Sequence, residues 1–335
     1  MKTIDTFIQI DNKDQFVTDI ATGFQKSRIL FTSLELGIFT IIGNESKSAE
    51  KIAEESNCKP ESLEKLLNTL VNMQLLNKKY NEFSNKVNSL LYLSKESPNY
   101  LGDLLHIASL WDNWSNLTDT VRNGEPTHYQ SINEKDNEWI EAYILASYRA
   151  SKSYINHIFN HIPLSNPRRM LDLGARSANH SIQCAKLYPR LDIIAFDYPR
   201  VIEITQKFIN RSGLSDRIST LSGDFLTDDI GNEYDFVFMA DIISQSSFKT
   251  NIELLRKVYD SMNFGGVVAI MDSFYDDNKT GPEEANLLSL NMMVNTMEGE
   301  VLNDTDIWFA MREAWFSDIY KIRTNFGKSI IIGKK

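Results

Sequence analysis

The stretch Met170-Leu-Asp-Leu-Gly-Ala-Arg-Ser-Ala-Asn-His-Ser-Ile182 constrains the fold more than any other part of the chain. An apolar run, Met170–Leu173, contains Asp172 and ends at Gly174. A helix-like segment follows over 181–187. A second apolar run, Leu191–Phe196, ends in Asp197. Strand, tight turn, helix, strand and acidic tip make the first half of a nucleotide-binding βαβ unit. The turn itself has only one glycine, Gly174, followed by Ala175, Arg176, Ser177 and Ala178.

From Arg169 onward, strand-like and helix-like segments alternate. The expected strands are Arg169–Leu173, Asp192–Phe196, Ser219–Gly223, Asp235–Met239, Val267–Met271, Ile319–Arg323 and Ser329–Gly333. The expected helices are His180–Leu187, Val201–Ser212, Asn251–Ser261, Glu283–Asn295 and Asp304–Ala314. This alternation predicts a mostly parallel sheet with helices on both faces. Only residues 324–328 separate the last two strands. So short a connection permits an antiparallel hairpin and excludes a parallel crossover. Five parallel strands closed by such a hairpin are the class I methyltransferase variant of the α/β Rossmann-like sheet, rather than the dehydrogenase one.

The length of 335 residues suits two domains, or one with a large elaboration. In residues 1–95, Phe24–Ile42 has helical periodicity, with Ile29, Leu30, Leu34, Phe39 and Ile42 apolar. Ser48 is an N-cap for a second helix. Pro60 opens a third, and Leu75–Ser84 predicts a hairpin. Helix, short helix, longer helix and wing form a mainly helical winged-helix pattern. Its third helix carries Glu61 and Glu64 against a single Lys65. A DNA-reading helix needs positive charge toward phosphates, so packing and dimerisation is the preferred role. Residues 96–165 form an aromatic-rich helical connector and substrate cap, and residues 166–335 form the Rossmann-like domain.

A formal charge of -10 argues against nucleic acid or an anionic membrane as partner. Cys58 and Cys184 belong to no CxxC or metal-spaced cluster, which fits a reducing cytoplasm. No signal peptide and no transmembrane run is expected. His157 and His161 lie four apart, but the glutamate of an HExxH motif is missing, so no metal is expected.

Ligands of such sheets bind outside the carboxyl ends of the strands. Asp197 ends the second strand, where a carboxylate can accept both hydroxyls of a ribose. Gly223-Asp224-Phe225 ends the third strand; Asp224 suits an exocyclic adenine amine and Phe225 an adenine face. Met239 and Ala240 end the fourth strand at the same edge of the sheet, and Asp241 follows. Lone strand-end aspartates are often turn formers, but three successive acidic tips together point to a nucleoside.

On these residues the chain resembles the small-molecule O-methyltransferases of plants and bacteria that use S-adenosylmethionine (SAM) and carry an N-terminal winged-helix dimerisation domain. Leu34-Glu-Leu-Gly-Ile-Phe39, Leu63–Leu76 and Ser97-Pro-Asn-Tyr-Leu-Gly102 carry the resemblance in the first half. Phe196-Asp-Tyr-Pro-Arg-Val-Ile202, Gly213–Ile218, Gly223-Asp-Phe225, Leu254–Val258 and Gly265-Gly266 carry it in the second. It implies a homodimer, SAM as methyl donor and a small-molecule acceptor. The acceptor would lie between the helices of Tyr100–Phe159 and the segment Asn286–Met297. Trp111, Tyr143, Arg149, Asn291 and Met292 are the candidate contacts there.

The chain departs from the family pattern twice. The family turn reads Asp-x-Gly-Gly-Gly-x-Gly, whereas here only Gly174 remains. Glycine permits φ > 0 and close approach of backbone to ligand, and a non-glycine residue held left-handed costs about 1–2 kcal/mol. Arg176 has three possible fates: reaching the carboxylate of the methionine tail, blocking the pocket, or pointing to solvent. Secondly, the family's catalytic histidine falls on Ser244 and the acid after it on Gln245, neither of which is a base near neutral pH. The region that supplies an orienting glutamate falls near Val301, with Glu298 and Glu300 close by. Three functions follow as alternatives: a methyltransferase acting on a nucleophile that needs no strong base, a non-methylating relative such as a hydroxylase or pericyclic catalyst, and a binding or dimer-partner protein with a decayed site.

Overall fold

The computed structural model describes residues 14–335. They divide into two compact units, one up to Leu105 and one from His106 to Lys335.

The first unit contains α1 (Gln15–Thr22), α2 (Phe24–Glu35), α3 (Ile38–Ile42), α4 (Ala49–Glu55), α5 (Pro60–Asn72) and α6 (Val87–Leu93). Its strands, β1 (Ser46–Ser48), β2 (Leu76–Lys79) and β3 (Glu82–Asn85), form an antiparallel sheet in the order β1-β3-β2. Leu63, Leu67 and Leu70 recur at helical spacing and put one face of α5 into the core with Ile38, Ile52 and Phe83. Each such side chain contributes about 1.5–3 kcal/mol of burial. Glu61, Glu64 and Lys65 remain on the exposed face, where Lys78 of the wing pairs with Glu64 at 3.0 Å. The single helix expected over Phe24–Ile42 is two, because Gly37 takes φ +67. Ser48 caps α4 by accepting the Lys51 N–H, and also ends β1, a strand the sequence did not suggest.

The chain continues through α7 (Leu104–Ser109), α8 (Trp111–Ser115), α9 (Leu117–Asn123), α10 (Asn137–Lys152) and α11 (Ile155–Ile158) into a seven-stranded sheet. Its strands are β4 (Arg169–Leu173), β5 (Asp192–Asp197), β6 (Ile218–Ser222), β7 (Tyr234–Ala240), β8 (Met262–Asp272), β9 (Ser317–Arg323) and β10 (Ser329–Lys334). Between them run α12 (Asn179–Leu187), α13 (Pro199–Ser212), α14 (Phe248–Ser261), α15 (Glu283–Asn295) and α16 (Asp304–Glu313). The spatial order is β6-β5-β4-β7-β8-β10-β9. The first five strands are parallel, and β10 runs antiparallel between β8 and β9, as the sequence predicts. Alternation along β4 sends Leu171 and Leu173 into one core and Met170 into the other. Strand order reverses between β4 and β7, so the ligand crevice of such a sheet falls at the carboxyl ends of those two strands.

Candidate active site

The turn after β4 keeps a glycine-like path with few glycines. Gly174 has φ +76, and a Cβ there would stand 2.3 Å from Ile242 Cδ1. Arg176 and Ala178 are also left-handed, at φ +48 and +51. Internal hydrogen bonds offset that strain. Gly174 and Ala175 donate to the Phe196 carbonyl at 2.9 and 3.0 Å, and Ala178 donates to Ala175 at 2.7 Å. Arg176 N–H donates to Asp197 Oδ2 at 2.8 Å. Beneath the turn, Asp172 Oδ2 accepts from Ser181 N–H (3.1 Å) and hydroxyl (2.6 Å). Its Oδ1 is buried without a partner. Burial pushes the Asp172 carboxyl up to about 6, against the opposing Ser181 hydrogen bonds.

The Arg176 side chain turns inward and is 8% exposed. Its guanidinium donates to Asp241 Oδ2 (3.2 Å) and to the Asp241 carbonyl (2.9 Å), and it lies 5.5 Å from the Tyr143 ring centre. Of its three possible fates, exposure to solvent is therefore excluded. Asp241 follows β7 in a left-handed conformation, φ +54, and its Oδ1 accepts from Lys328 Nζ. Register explains the reach of Lys328: Ser329 pairs with Asp272, so Lys328 enters beside the β8 tip. One charge cluster, Arg176–Asp241–Lys328, thus ties the tips of β4, β7 and β10.

Burial pushes the Asp241 carboxyl up, but Lys328 and Arg176 outweigh it and bring it down to about 2. Burial also opposes charge on Arg176, yet Tyr143, Asp241 and Asp197 hold the guanidinium protonated. His180 is packed 4.9 Å from the Phe238 ring centre. Burial depresses its imidazole to about 3, and its Nε2 has no partner. Asp272, at the β8 tip, accepts Ser244 N–H (3.1 Å) and Ser273 N–H (2.8 Å). Burial, reinforced by Asp241, raises it to about 6.

Asp197 is buried, and its oxygens accept the amides of Arg176 and Tyr198, each at 2.8 Å. A carboxylate has about four acceptor sites, so each oxygen keeps one. Burial raises its pKa, against those two hydrogen bonds. Gly223 N–H donates to the Asp197 carbonyl at 3.1 Å, which places the β6 tip beside it. There Asp224 Oδ1 accepts Leu226 N–H at 2.9 Å. Phe225 is buried, its ring 5.8 Å from that of Tyr198. Ala240 is buried at the end of β7.

Among the expected acceptor contacts, Tyr143 stacks on Trp139 at 5.3 Å, with His106 edge-on to both. Trp114 donates to Asn291 Oδ1 at 3.1 Å and Asn113 to Asn295 Oδ1 at 2.7 Å, which joins α8 to α15. Asn291 is thus engaged between helices. Trp111 and Met292 are half-buried on the same two helices, and Arg149 is exposed on α10.

With this sheet and crevice, residues 114–317 match the O-methyltransferase domain and residues 18–95 the O-methyltransferase dimerisation domain. The chain belongs to the O-methyltransferase family. It is 25% identical to 3-hydroxy-5-methyl-1-naphthoate 3-O-methyltransferase of Streptomyces sahachiroi, over 92% of this chain and 90% of that one. It is 27% identical to acetylserotonin O-methyltransferase of Gallus gallus, over 96% and 97%. Among solved structures, the complex of PigF with S-adenosylhomocysteine (SAH) superposes with a TM-score of 0.88 at 22% identity, over 97% of this chain and 100% of that one. Human N-acetylserotonin methyltransferase in complex with SAM gives 0.81 at 23%, over 98% and 99%.

In this O-methyltransferase the segment after β7 has no histidine. Ser244 is 4% exposed in a 3-10 turn, Ile243–Gln245. Gln245 Nε2 donates to the Asp241 carbonyl at 2.5 Å. Glu298 is exposed and accepts the hydroxyls of Thr250 (3.0 Å) and Ser247 (3.4 Å). An acid is favourable at that place, the N-terminus of α14. Contacts join Arg176, Tyr143, Asp197 and Gln245 through the β4 turn and Asp241, with Gly174 in the same turn and Asp224 and Phe225 at the neighbouring tip. Lys328, Asp272 and His180 were not anticipated. The signal for Lys328 was a cation opening a strand whose hairpin returns it beside the tip of the parallel set.

Proposed function

We propose that this O-methyltransferase binds SAM at the β4/β7 crevice and methylates a small, natural-product-like acceptor without a histidine base, as a homodimer. One observation supports this above the rest: Asp197 keeps acceptor capacity on both oxygens while Arg176, Asp241 and Lys328 span the switch point. The residues fit the ligand. Asp197 would hold the ribose hydroxyls, Asp224 the adenine amine, and the cationic cluster the methionine tail. SAM, when bound, supplies an electrophilic methyl group on sulfur. This chain's own contribution is binding and orientation, and orientation alone offsets several kcal/mol of a barrier. A phenol with pKa near 10 would react slowly without a base. The acceptor is therefore an acidic hydroxyl, an enol, or a sulfur or nitrogen nucleophile.

The test is transfer of labelled methyl from SAM to paired acceptors, such as a nitrophenol and an ordinary phenol. The nitrophenol is expected to be methylated and the ordinary phenol hardly at all. Ser244→His should raise the latter rate about 10²-fold, the lower end of general-base effects. The buried Ser244 also favours a second reading, a family member that binds the ligand and transfers nothing. SAH binding with no transfer to any acceptor would establish that reading. No binding of SAM or SAH would sink both.

A further inference from the structure

The turn that would ordinarily offer backbone amides to an anion has little left to offer. Of the five residues 174–178, Gly174, Ala175, Arg176 and Ala178 each spend their N–H on an internal acceptor. Recognition of a carboxylate at this place passes to side chains. Arg176 is held by two bonds to Asp241 and by the Tyr143 ring. Lys328 differs. An ammonium has three donors, and Asp241 Oδ1 is its single acceptor among the described contacts. Its side chain is 20% exposed.

The backbone of Lys328 is pinned on both sides. Thr324 hydroxyl donates to the Lys328 carbonyl, and Ser273 hydroxyl donates to Gly327 at 3.2 Å. Next to the same charges lies His180, 7% exposed, with a buried Nε2 that no described group satisfies. Unpaired buried polar atoms are costly and call for an explanation such as a functional role or a bound water or ion. Arg176 and Asp241 both occupy left-handed backbone, and such strain clusters at ligand clamps.

We infer that Lys328 is the anchor for the α-carboxylate of the ligand's amino-acid tail, taking over the role that backbone amides have in a glycine-rich turn. Asp241 keeps the ammonium in place and offers its remaining acceptor sites to the tail's α-ammonium. The inference rests on the proposed SAM site and adds a residue of the terminal hairpin to it. A lysine in that role makes tail recognition separable from recognition of the adenosine.

Calorimetry with the full chain tests it, using SAH and 5′-methylthioadenosine, the same nucleoside without the amino-acid tail. Lys328→Met should weaken SAH about tenfold, the size of one charged hydrogen bond, and leave 5′-methylthioadenosine unchanged. Lys328→Arg should restore most of the loss. Unchanged 5′-methylthioadenosine binding also shows that the variant is folded; Lys328→Gln replaces the Met variant if that one is not. Equal weakening of both ligands, or of neither, overturns the inference and leaves the SAM site standing. So does a wild type that binds decarboxylated SAM as tightly as SAM. A wild type that binds neither SAH nor 5′-methylthioadenosine overturns the SAM site and the anchor together.

Discussion

His180 is neutral because charging it would place a cation among Tyr154, Phe159 and Phe238, close to Arg176 and Lys328. Its folded pKa, about 3, lies below the ordinary value near 6.5. A depressed group contributes stability that is present above the unfolded pKa and is lost as pH falls toward the folded one. His180 should therefore destabilise the fold by about 1.4 kcal/mol per pH unit between roughly pH 6.5 and 3. His180→Phe removes that slope. In urea titrations at pH 7.5, 5.5 and 4.5, the wild type should lose midpoint faster than the variant; parallel losses would contradict the buried neutral imidazole. Gly174→Ala should cost about 2–5 kcal/mol, from left-handed strain and overpacking against Ile242. A midpoint within experimental error of wild type would refute it. Asp197 and Gly174 were legible because each has one physical job that few residues can do. Arg176 was not. Its direction depends on Asp241, 65 residues away in sequence, and no local pattern encodes that pairing.

At the level of elements, four of the five parallel strands were legible within a residue because they carry apolar residues bounded by turn residues, whereas β8 begins at Met262, five residues before the expected Val267, because Asn263, Gly265 and Gly266 break the apolar pattern there. The break in Phe24–Ile42 was hidden because Gly37 looks like a tolerated helix interior until its φ is known. β1 was hidden because three residues carry no period. The clearest unspent element is the N-terminal pair α1 and α2. Gly23 between them stays right-handed, φ -55, so Phe16, Ile20 and Phe24 fall at i, i+4 and i+8 on one continuing face. They are 75%, 67% and 57% exposed. Three large apolar side chains aligned in this way are what a partner helix covers, and they begin at the edge of the segment that matches the dimerisation domain. Phe16→Asp combined with Ile20→Asp should shift the protein from dimer to monomer in light scattering at micromolar concentration. The core below α2 is untouched by this change. A dimer that survives both charges would place the interface elsewhere.

For the whole molecule, the charge cluster makes a prediction about where ligand binding is felt. Arg176, Asp241 and Lys328 join three strand tips that are far apart in sequence, and Asp197 joins a fourth through the Arg176 amide. A ligand that engages this set stabilises by mass action, about 2.7 kcal/mol at a hundredfold excess over Kd. It also holds together segments that otherwise open independently. In hydrogen exchange, saturating SAH should therefore slow the amides of 174–180, of 197–198 and of 241–246. The hairpin loop 324–328 should slow with them, although more than 140 residues separate it from the turn. α4 and α5, whose buried faces belong to the separate core of the first unit, should exchange at the same rate with and without ligand. Protection at 174–180 without protection at 324–328 would mean that the terminal hairpin takes no part in binding. The ion cluster would then be a fixed brace across the sheet rather than part of the ligand's site.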